Sequence, residues 1–211
     1  MNKKSLILNV TLLVLEIIGF SLSIISKRSF ISFKFYTNLS NFLALLSSIF
    51  VLISYKLDNK VISNITNYLK FISTIGLTIT LIVVITILGP DGYKKDGIDG
   101  YLAYIFPNGL LCLHVLCPIV SIINFVFIED NNKYYSYKWF LLSTLYTFLY
   151  GIIVITIVYY SNVKPPYFFL NSKSIGYWKT FGFGLIFVFA SFLVSYLLIV
   201  INKVIKRKTQ H

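Results

Sequence analysis

Six long apolar runs dominate the chain and decide what it can fold into. Each run meets the roughly 20 residues that a helix needs to cross a hydrocarbon core about 30 Å thick. Barrel strands alternate over about 10 residues, whereas these runs are continuously apolar, so a β-barrel is excluded. We therefore predict an all-α integral membrane bundle, one domain over residues 1–211, with six transmembrane helices near residues 5–25, 34–55, 68–88, 104–128, 138–160 and 179–201.

The charge of the chain points to lipid rather than to nucleic acid. Only 12% of the 211 residues are charged, 57% are hydrophobic, and the formal net charge is +12. The basic residues lie in short connectors between the apolar runs instead of forming one surface patch. Basic connectors of this kind interact with anionic headgroups, so we expect membrane lipids as partners and no nucleic acid.

The distribution of basic residues predicts the orientation. An even number of spans puts both termini on one side of the membrane, and connectors rich in positive charge stay in the cytoplasm. We therefore expect cytoplasmic termini in a multi-pass protein of the cell membrane. The side of the termini holds eleven of the 19 basic residues, namely Lys3, Lys4, Lys56, Lys60, Lys70, Lys133, Lys138, Lys203, Lys206, Arg207 and Lys208.

The first apolar run resembles a signal peptide in its basic start, "MNKK". Its apolar stretch is too long for a signal peptide, and no small-x-small cleavage site follows it. We predict that this run is a retained helix of the bundle.

We expect no metal and no cofactor. Asp91, Asp96 and Asp99 lack the spacing of a calcium loop, so connector 89–109 is predicted to be a solvated loop. Its glycines would let it act as a lid. Cys112 and Cys117 lie about 140° apart around a helix, so they cannot form a disulfide with each other there.

Glu16 is the only acidic residue within an apolar run, and it lies 11 residues after Ser5, near the middle of the bilayer. A carboxyl group at that depth is costly, so it marks either a functional site or a buried structural pair. In the structural alternative, Glu16 is protonated and forms a hydrogen bond to a neighbouring helix.

His114 lies about 10 Å below the rim at which the fourth run begins, if that run starts near Pro107. Pro118 has no N–H to bond the carbonyl of residue 114, so we expect a kink that frees this carbonyl and opens space beside the imidazole. A histidine at this depth is a candidate functional residue. The alternative is a purely structural kink, with the freed carbonyl satisfied by neighbouring groups.

A stripe of small and polar residues runs along the second apolar run at spacings of three and four: Thr37, Ser40, Asn41, Ala44 and Ser48. Such a stripe faces other helices, and packing of small residues against a neighbour is one sufficient explanation for it. Thr37, however, lies at the same rim as His114, because the second and fourth runs both begin there. We therefore expect the hydroxyl and the imidazole to meet.

A meeting of these two groups suggests acyl transfer. A threonine hydroxyl is a poor nucleophile until a base removes its proton, and the pKa of histidine suits that task near neutrality. A base needs an orienting group, and an oxyanion needs donors. The candidates for orienting or substrate-binding roles are Asn38, Asn41, Glu16 and nearby tyrosines. Cys117 is a rival nucleophile, although a buried cysteine more often serves packing.

The segments "FKFYTNLSN" and "LHVLCP" resemble the androgen-induced family of multi-span membrane proteins and its bacterial relatives. In that family a threonine at the start of an early span and a histidine in the pattern H-x-x-x-P form the proposed active site. Thr37 and His114 match these positions. The segment "PPYFFLNSKSIGYW" resembles the aromatic pair, leucine and glycine that precede the last span of the family, with Asn171 where relatives often carry an acid.

The resemblance implies an intramembrane hydrolase of lipid esters, such as fatty acid esters of hydroxy fatty acids. It implies Thr37 as the nucleophile and His114 as the base. Asn171 departs from the family pattern, so the resemblance does not support an acidic role in that segment.

Two other functions remain open at this stage. In a small transporter or lipid-binding protein, Glu16 and His114 would line a polar path. Internal repeats between the halves would favour transport, but the threonine and histidine motifs have no counterparts in the opposite half. The third alternative is an assembly partner without chemistry, in which both polar positions would tolerate apolar replacement.

Overall fold

The computed structural model describes residues 3–27, 33–57, 59–129, 131, 134 and 136–208. Lys133, which enters the count of basic residues above, lies outside this part. The α-helices are α1 (Lys3–Lys27), α2 (Tyr36–Lys56), α3 (Lys60–Val83), α4 (Gly89–Leu102), α5 (Cys117–Ile123), α6 (Tyr137–Tyr160), α7 (Ser172–Ile175) and α8 (Tyr177–Lys208). Segments Val84–Leu88, Leu111–Leu116 and Asn124–Ile128 are π-helical, and Pro107–Gly109 and Phe168–Leu170 are 3₁₀-helical.

The predicted fold class is confirmed, because the described residues contain helices and no strand. Six helical segments in this part are long and apolar enough to cross a membrane: Lys3–Ser26, Tyr36–Lys56, Lys60–Leu102, Pro107–Ile128, Tyr137–Tyr160 and Tyr177–Lys208. Large apolar side chains cover their outward faces; Ile7, Leu145 and Ile186, for example, are each more than half exposed. A surface this apolar suits contact with lipid rather than with water.

Two helices extend further than the apolar pattern predicts. α3 begins at Lys60 rather than near residue 68, and α8 continues to Lys208 rather than ending near residue 201. The apolar runs end near the predicted boundaries, but a helix continues beyond its apolar part if its first N–H groups are capped. At α3 the Asn59 side chain accepts hydrogen bonds from the backbone N–H groups of Val61 and Ile62.

Connector 89–109 is largely helical rather than the loop that we expected, although most residues from Tyr93 to Asp99 are exposed. α4 contains a reversal at Gly97, whose φ of 62° favours glycine. The two arms of this hairpin pack so closely that a Cβ on Gly92 would lie 2.2 Å from the Gly100 carbonyl oxygen. The glycines therefore serve close packing within a helical hairpin.

We use "site end" for the end of the bundle where α2 begins and α6 ends, and "termini end" for the opposite one. At the termini end, Lys70 and Glu129 form an ion pair, and the Ser5 hydroxyl donates to the same carboxylate at 2.6 Å. The Tyr134 ring lies beside this pair, stacked on Phe71 at 5.0 Å. Burial raises the pKa of the Tyr134 hydroxyl, so it stays a neutral donor.

Asn202 fastens α8 to the rest of the bundle at the termini end. Its side chain is fully buried, and Nδ2 donates to the carbonyl oxygens of Phe125 at 3.0 Å and of Val126 and Glu129 at 2.9 Å. These carbonyls belong to the last turn of the π-helical segment Asn124–Ile128 and its end, where no further helical N–H follows. One amide group therefore satisfies a helix terminus in a neighbouring helix.

The Asn202→Leu variant should unfold at a lower temperature than the wild type. It keeps the side-chain volume but leaves the three carbonyls without this donor, at a cost of about 2 kcal/mol or more. Thermal unfolding in detergent measures the effect. Ser195→Ala is the matched control, because Ser195 is also fully buried on α8 but donates only to its own helix, at Phe192. Equal unfolding temperatures for the two variants would contradict the assignment.

Candidate functional site

Thr37 lies in the first turn of α2, where a helix has backbone N–H groups without helical partners. No side chain of the N-cap residue, Phe35, satisfies them. Instead, the Tyr167 hydroxyl oxygen lies 3.5 Å from both the Thr37 nitrogen and Thr37 Oγ1. Thr37 is 6% exposed, so its hydroxyl faces the protein interior.

Tyr167 is a member of the site that the sequence analysis did not single out. It belongs to the connector between α6 and α7, outside the six apolar helices. Burial raises the pKa of its hydroxyl, and the hydrogen bond with Thr37 lowers it by less. Tyr167 therefore keeps its proton at physiological pH and can donate it in a hydrogen bond. The signal in the sequence was its place at the start of the aromatic pair in "PPYFFL".

Thr37 and Tyr167 share the wall of an apolar cavity between α2, α3, α6 and α8. Its empty volume is about 490 Å³, counting the part that is open to the surroundings. Aliphatic and aromatic side chains form most of the wall, so the cavity suits a hydrocarbon group rather than a polar solute. The wall consists of Tyr36, Thr37, Ile79, Thr80, Val83, Thr147, Tyr150, Gly151, Tyr167, Phe169, Leu170, Gly184 and Phe187. His114 is not part of it.

The His114 ring is fixed by a backbone carbonyl. His114 is 8% exposed, and its Nδ1 lies 2.7 Å from the carbonyl oxygen of Tyr104, at the end of the α4 connector. A carbonyl only accepts hydrogen bonds, so Nδ1 carries the proton and Nε2 carries the lone pair of the neutral ring. This tautomer is the one that a general base acting through Nε2 requires.

The segment Leu111–Leu116, which contains the histidine, is wound as a π-helix. In this winding the Cys117 N–H bonds the carbonyl of Cys112, five residues back, rather than that of Leu113. Pro118 is the next residue that could close a turn on the Leu113 carbonyl, and it has no N–H. The Leu113 carbonyl is therefore free to accept a hydrogen bond from another helix.

Asn41 supplies that hydrogen bond and ties the two predicted catalytic segments together. Its Nδ2 donates to the Leu113 carbonyl at 3.1 Å and to the Thr37 carbonyl at 2.8 Å. We expected the released carbonyl at residue 114, because we assumed an α-helix; the π register moves it to the residue before. The turn of Thr37 and the segment of His114 are thus brought side by side through one buried amide. The hydroxyl partner of Thr37 among the described residues is nevertheless Tyr167 rather than His114.

Two glycines allow the His114 segment to lie close to α1. A Cβ on Gly19 would come within 2.7 Å of the Leu113 side chain. A Cβ on Gly109 would come within 2.3 Å of the Gly19 carbonyl, and Gly109 also has a φ of 81°, which other residues rarely adopt. Small residues at such contacts let helices pack backbone to backbone.

Glu16 lies deeper in the bundle than this site. Its side chain is fully buried, and neither carboxyl oxygen has a hydrogen-bond partner among the described residues. The Cys117 thiol lies close to the carboxyl group but outside hydrogen-bonding geometry. Glu16 therefore faces the helix that carries His114, one turn further along at Cys117.

The other candidate residues from the sequence lie in different parts of the structure. Asn38 is half-buried in the first turn of α2 and does not contribute to the cavity wall. Asn171 accepts a hydrogen bond from the Ser174 N–H at 3.4 Å and so caps the short helix α7. Cys117 is completely buried, packed against Leu12, Ala44 and Leu77 and close to the Glu16 carboxyl group. Three or more metal-ligating side chains do not cluster anywhere in the part of the chain that the structure describes.

Comparison of the chain with protein-family models, with curated proteins and with solved structures gives no match. The resemblance to the androgen-induced family therefore stays a prediction from short motifs.

The Asn41→Leu variant should destabilise the His114 segment specifically. Without the amide, the Leu113 and Thr37 carbonyls lose this donor, at a cost of about 2 kcal/mol. Hydrogen–deuterium exchange should accelerate in residues 111–116. Ser48→Ala is the matched control, since Ser48 is fully buried on the same face of α2 and its hydroxyl has no hydrogen-bond partner among the described residues. Exchange that is unchanged in Asn41→Leu would refute the bridge.

Proposed function

We propose that the protein is an intramembrane hydrolase of lipid esters, with Thr37 as the nucleophile and His114 as the general base. The observation that carries this proposal is the Asn41 bridge, which holds the turn of Thr37 against the segment of His114. The apolar cavity beside Thr37 supports a substrate with a hydrocarbon group. The six apolar helices support delivery of that substrate from the membrane.

The reaction runs in two steps. His114 Nε2 takes the proton of the Thr37 hydroxyl as Oγ1 attacks the acyl carbon, and the alcohol leaves with that proton, so an acyl ester of Thr37 remains. Water then attacks the acyl ester with His114 again as base, which releases a carboxylic acid and restores the hydroxyl. For the first transfer the Thr37 hydroxyl turns from Tyr167 towards His114, or one water bridges them, because catalytic hydrogen bonds often tighten only when substrate binds.

Tyr167 acts in this proposal as the donor to the developing oxyanion. Its hydroxyl already lies 3.5 Å from Thr37 Oγ1, next to the place where the acyl oxygen would gain charge. A neutral phenol is required for donation, and the raised pKa of Tyr167 keeps it neutral. The Tyr104 carbonyl stabilises the positive charge that His114 gains as it accepts the proton.

We further propose the cell membrane as the location, with cytoplasmic termini. The excess of basic residues on the side of the termini supports this orientation. The site end would then lie in the non-cytoplasmic leaflet, and membrane lipids would be both the surroundings and the source of substrate.

The Thr37→Ala and His114→Ala variants should each lose at least about 10³-fold in hydrolysis of a lipid ester, because each removes one member of the nucleophile and base pair. Release of fatty acid from ester substrates in detergent micelles measures turnover. A fluorophosphonate probe should label wild-type Thr37, and labelling should disappear in His114→Ala.

Thermal unfolding is the control for this experiment, since both variants must remain folded. Activity should also rise with pH, because only the neutral imidazole ring accepts a proton. A folded, unlabelled wild type that releases no fatty acid from a panel of lipid esters would contradict the proposal.

A second candidate function is a transporter or lipid-binding protein with a proton or ligand path through Glu16 and His114. The observation that favours it is the buried Glu16 carboxyl group without a hydrogen-bond partner among the described residues. A carboxyl group in this position at membrane depth is costly unless function requires it.

The Glu16→Gln variant separates the two functions. Glutamine keeps the size and polarity of the side chain but cannot exchange a proton. If the hydrolase proposal holds, fatty acid release by Glu16→Gln stays within about threefold of the wild type, because Glu16 has no role in the two steps above. Loss of proton-coupled uptake in proteoliposomes, with no hydrolysis by the wild type, would instead establish the transport path.

A further inference from the structure

A small apolar depression lies on the outer surface between α6 and α8, and we call it the α6–α8 depression. Its empty volume is about 190 Å³, counting the part that is open to the surroundings. Phe148 and Ile152 of α6 and Leu185 of α8 contribute to its wall. Leu185 is 45% exposed and the two others are half-buried, so the depression faces the surroundings of the bundle rather than its interior.

The depression and the cavity beside Thr37 meet at two glycines. Gly151 of α6 and Gly184 of α8 line both spaces, and among the described residues no other does so. Glycine has no side chain, so only helix backbone is shared by the two walls. The seam between α6 and α8 is therefore the place where the cavity and the outside of the bundle adjoin.

Neither a turn nor close packing requires the glycine at position 151. Its φ is not positive, and a Cβ there would meet nothing within 4 Å beyond its own stretch of helix. A Cβ on Gly184 would meet only the tip of the Ile155 side chain, at 3.3 Å. Glycine within a helix lowers stability relative to alanine, so the two positions bring no gain in packing or in helix stability. What they provide is open space between the helices.

The other side of α6 is closed by a fixed side chain. A larger apolar void between α2 and α6 shares with the cavity only Tyr150, among the described residues. The Tyr150 hydroxyl donates to the Lys34 carbonyl at 2.6 Å, which holds the ring between the two spaces. Tyr150 and Gly151 are adjacent in α6, so they lie about 100° apart around the helix. A chain that leaves the cavity therefore meets a fixed ring on one side of α6 and two glycines on the other.

The cavity and the depression also differ in polarity. The cavity wall includes the hydroxyl-bearing residues Thr37, Thr147 and Tyr167, whereas none of the described residues in the depression wall has a polar side chain. A polar group inside a protein is stable only where it finds hydrogen-bond partners. A lipid that occupied both spaces would therefore place its polar group in the cavity and its hydrocarbon chain in the seam.

We propose that the seam between Gly151 and Gly184 is a lateral passage, through which the hydrocarbon chain of a lipid extends from the cavity beside Thr37 into the surrounding bilayer. The passage follows from the two spaces and the glycines that they share; its use by an ester substrate rests on the proposed function. A chain that leaves the cavity in this way need not fit inside it. The site therefore accepts long chains as well as short ones.

Photolabelling in phosphatidylcholine liposomes tests the passage. The probe is the methyl ester of a long-chain fatty acid with a diazirine close to the ester, and Thr37→Ala is the host for all variants, so that turnover cannot remove the probe. Mass spectrometry of peptides reports the label on Ile79 and Leu170, which line the cavity and are each 4% exposed, so that surrounding lipid does not reach them. Gly151→Leu fills the seam and should lower this label at least about tenfold.

Gly182→Leu is the matched control. Gly182 lies on α8, is exposed, and lines neither the cavity nor the depression. A Cβ there also meets nothing within 4 Å, so the same substitution should be tolerated, and the label should equal that of the host. Gly184→Leu provides a second passage variant if Gly151→Leu fails to fold, as judged by thermal unfolding.

Chain length tests the use of the passage by a substrate, with Thr37 intact. The esters p-nitrophenyl butyrate and p-nitrophenyl palmitate have the same leaving group and differ in the length of the acyl chain. A blocked passage leaves no room for the longer chain, so the ratio of palmitate to butyrate turnover should fall at least about tenfold in Gly151→Leu. Gly182→Leu should keep the wild-type ratio.

The outcomes are distinct. Equal label in the folded passage variants and in Gly182→Leu would overturn the passage, as would the absence of label from both cavity residues in the folded host. Hydrolysis with an unchanged ratio in the folded passage variants would overturn its use by the substrate. Label that is lost as expected, together with no hydrolysis of either ester by the protein with Thr37 intact, would leave the passage established and would reject only the hydrolase.

Discussion

The requirement that every backbone carbonyl find a donor inside an apolar bundle organises this protein. Water is not available to satisfy a carbonyl at membrane depth, so each break in a helical ladder must be repaired by a neighbouring helix. Two buried asparagines make these repairs at the two ends of the bundle. Asn41 does so beside the π-helical turn of His114, and Asn202 does so where the same chain segment ends near Glu129. The packing of α2 and α8 against this segment follows from these two amides.

The same requirement explains why the polar residues at the site end are where they are. The tyrosine hydroxyl at Thr37 compensates for a helix start whose N-cap side chain makes no hydrogen bond. The carbonyl of Tyr104 fixes one imidazole nitrogen, which leaves the other with the lone pair. In the hydrolase that we propose, interactions that stabilise the helix ends would also position the alcohol, the base and the phenol that acyl transfer requires. The proposed chemistry needs no further polar group from the hydrophobic core.

The apolar runs alone predicted the number, type and order of the spans, because continuous apolarity over about 20 residues has few other solutions. The ends of α3 and α8 were missed, since capping by Asn59 and the helicity of polar flanks do not depend on apolarity. The pattern at Thr37, Asn41 and His114 predicted that their segments lie side by side, and Asn41 joins them, but the Thr37 hydroxyl lies at Tyr167 rather than at His114. Tyr167 was not ranked, because a connector contributes it across more than a hundred residues of sequence. We also did not predict the π-helical segment Leu111–Leu116. We therefore assigned the released carbonyl to residue 114 rather than to Leu113.

A π turn is an α-helical turn that holds one residue too many. If one residue were deleted from Leu111–Leu116, the ordinary ladder would close, and Leu113 would no longer present its oxygen to α2. Every residue after the deletion would rotate by about 100° around the helix axis. A deletion before His114 would therefore turn the imidazole away from the Tyr104 carbonyl. The span would still cross the membrane. This single surplus residue therefore separates a helix that only fills space from one that can hold a reactive group.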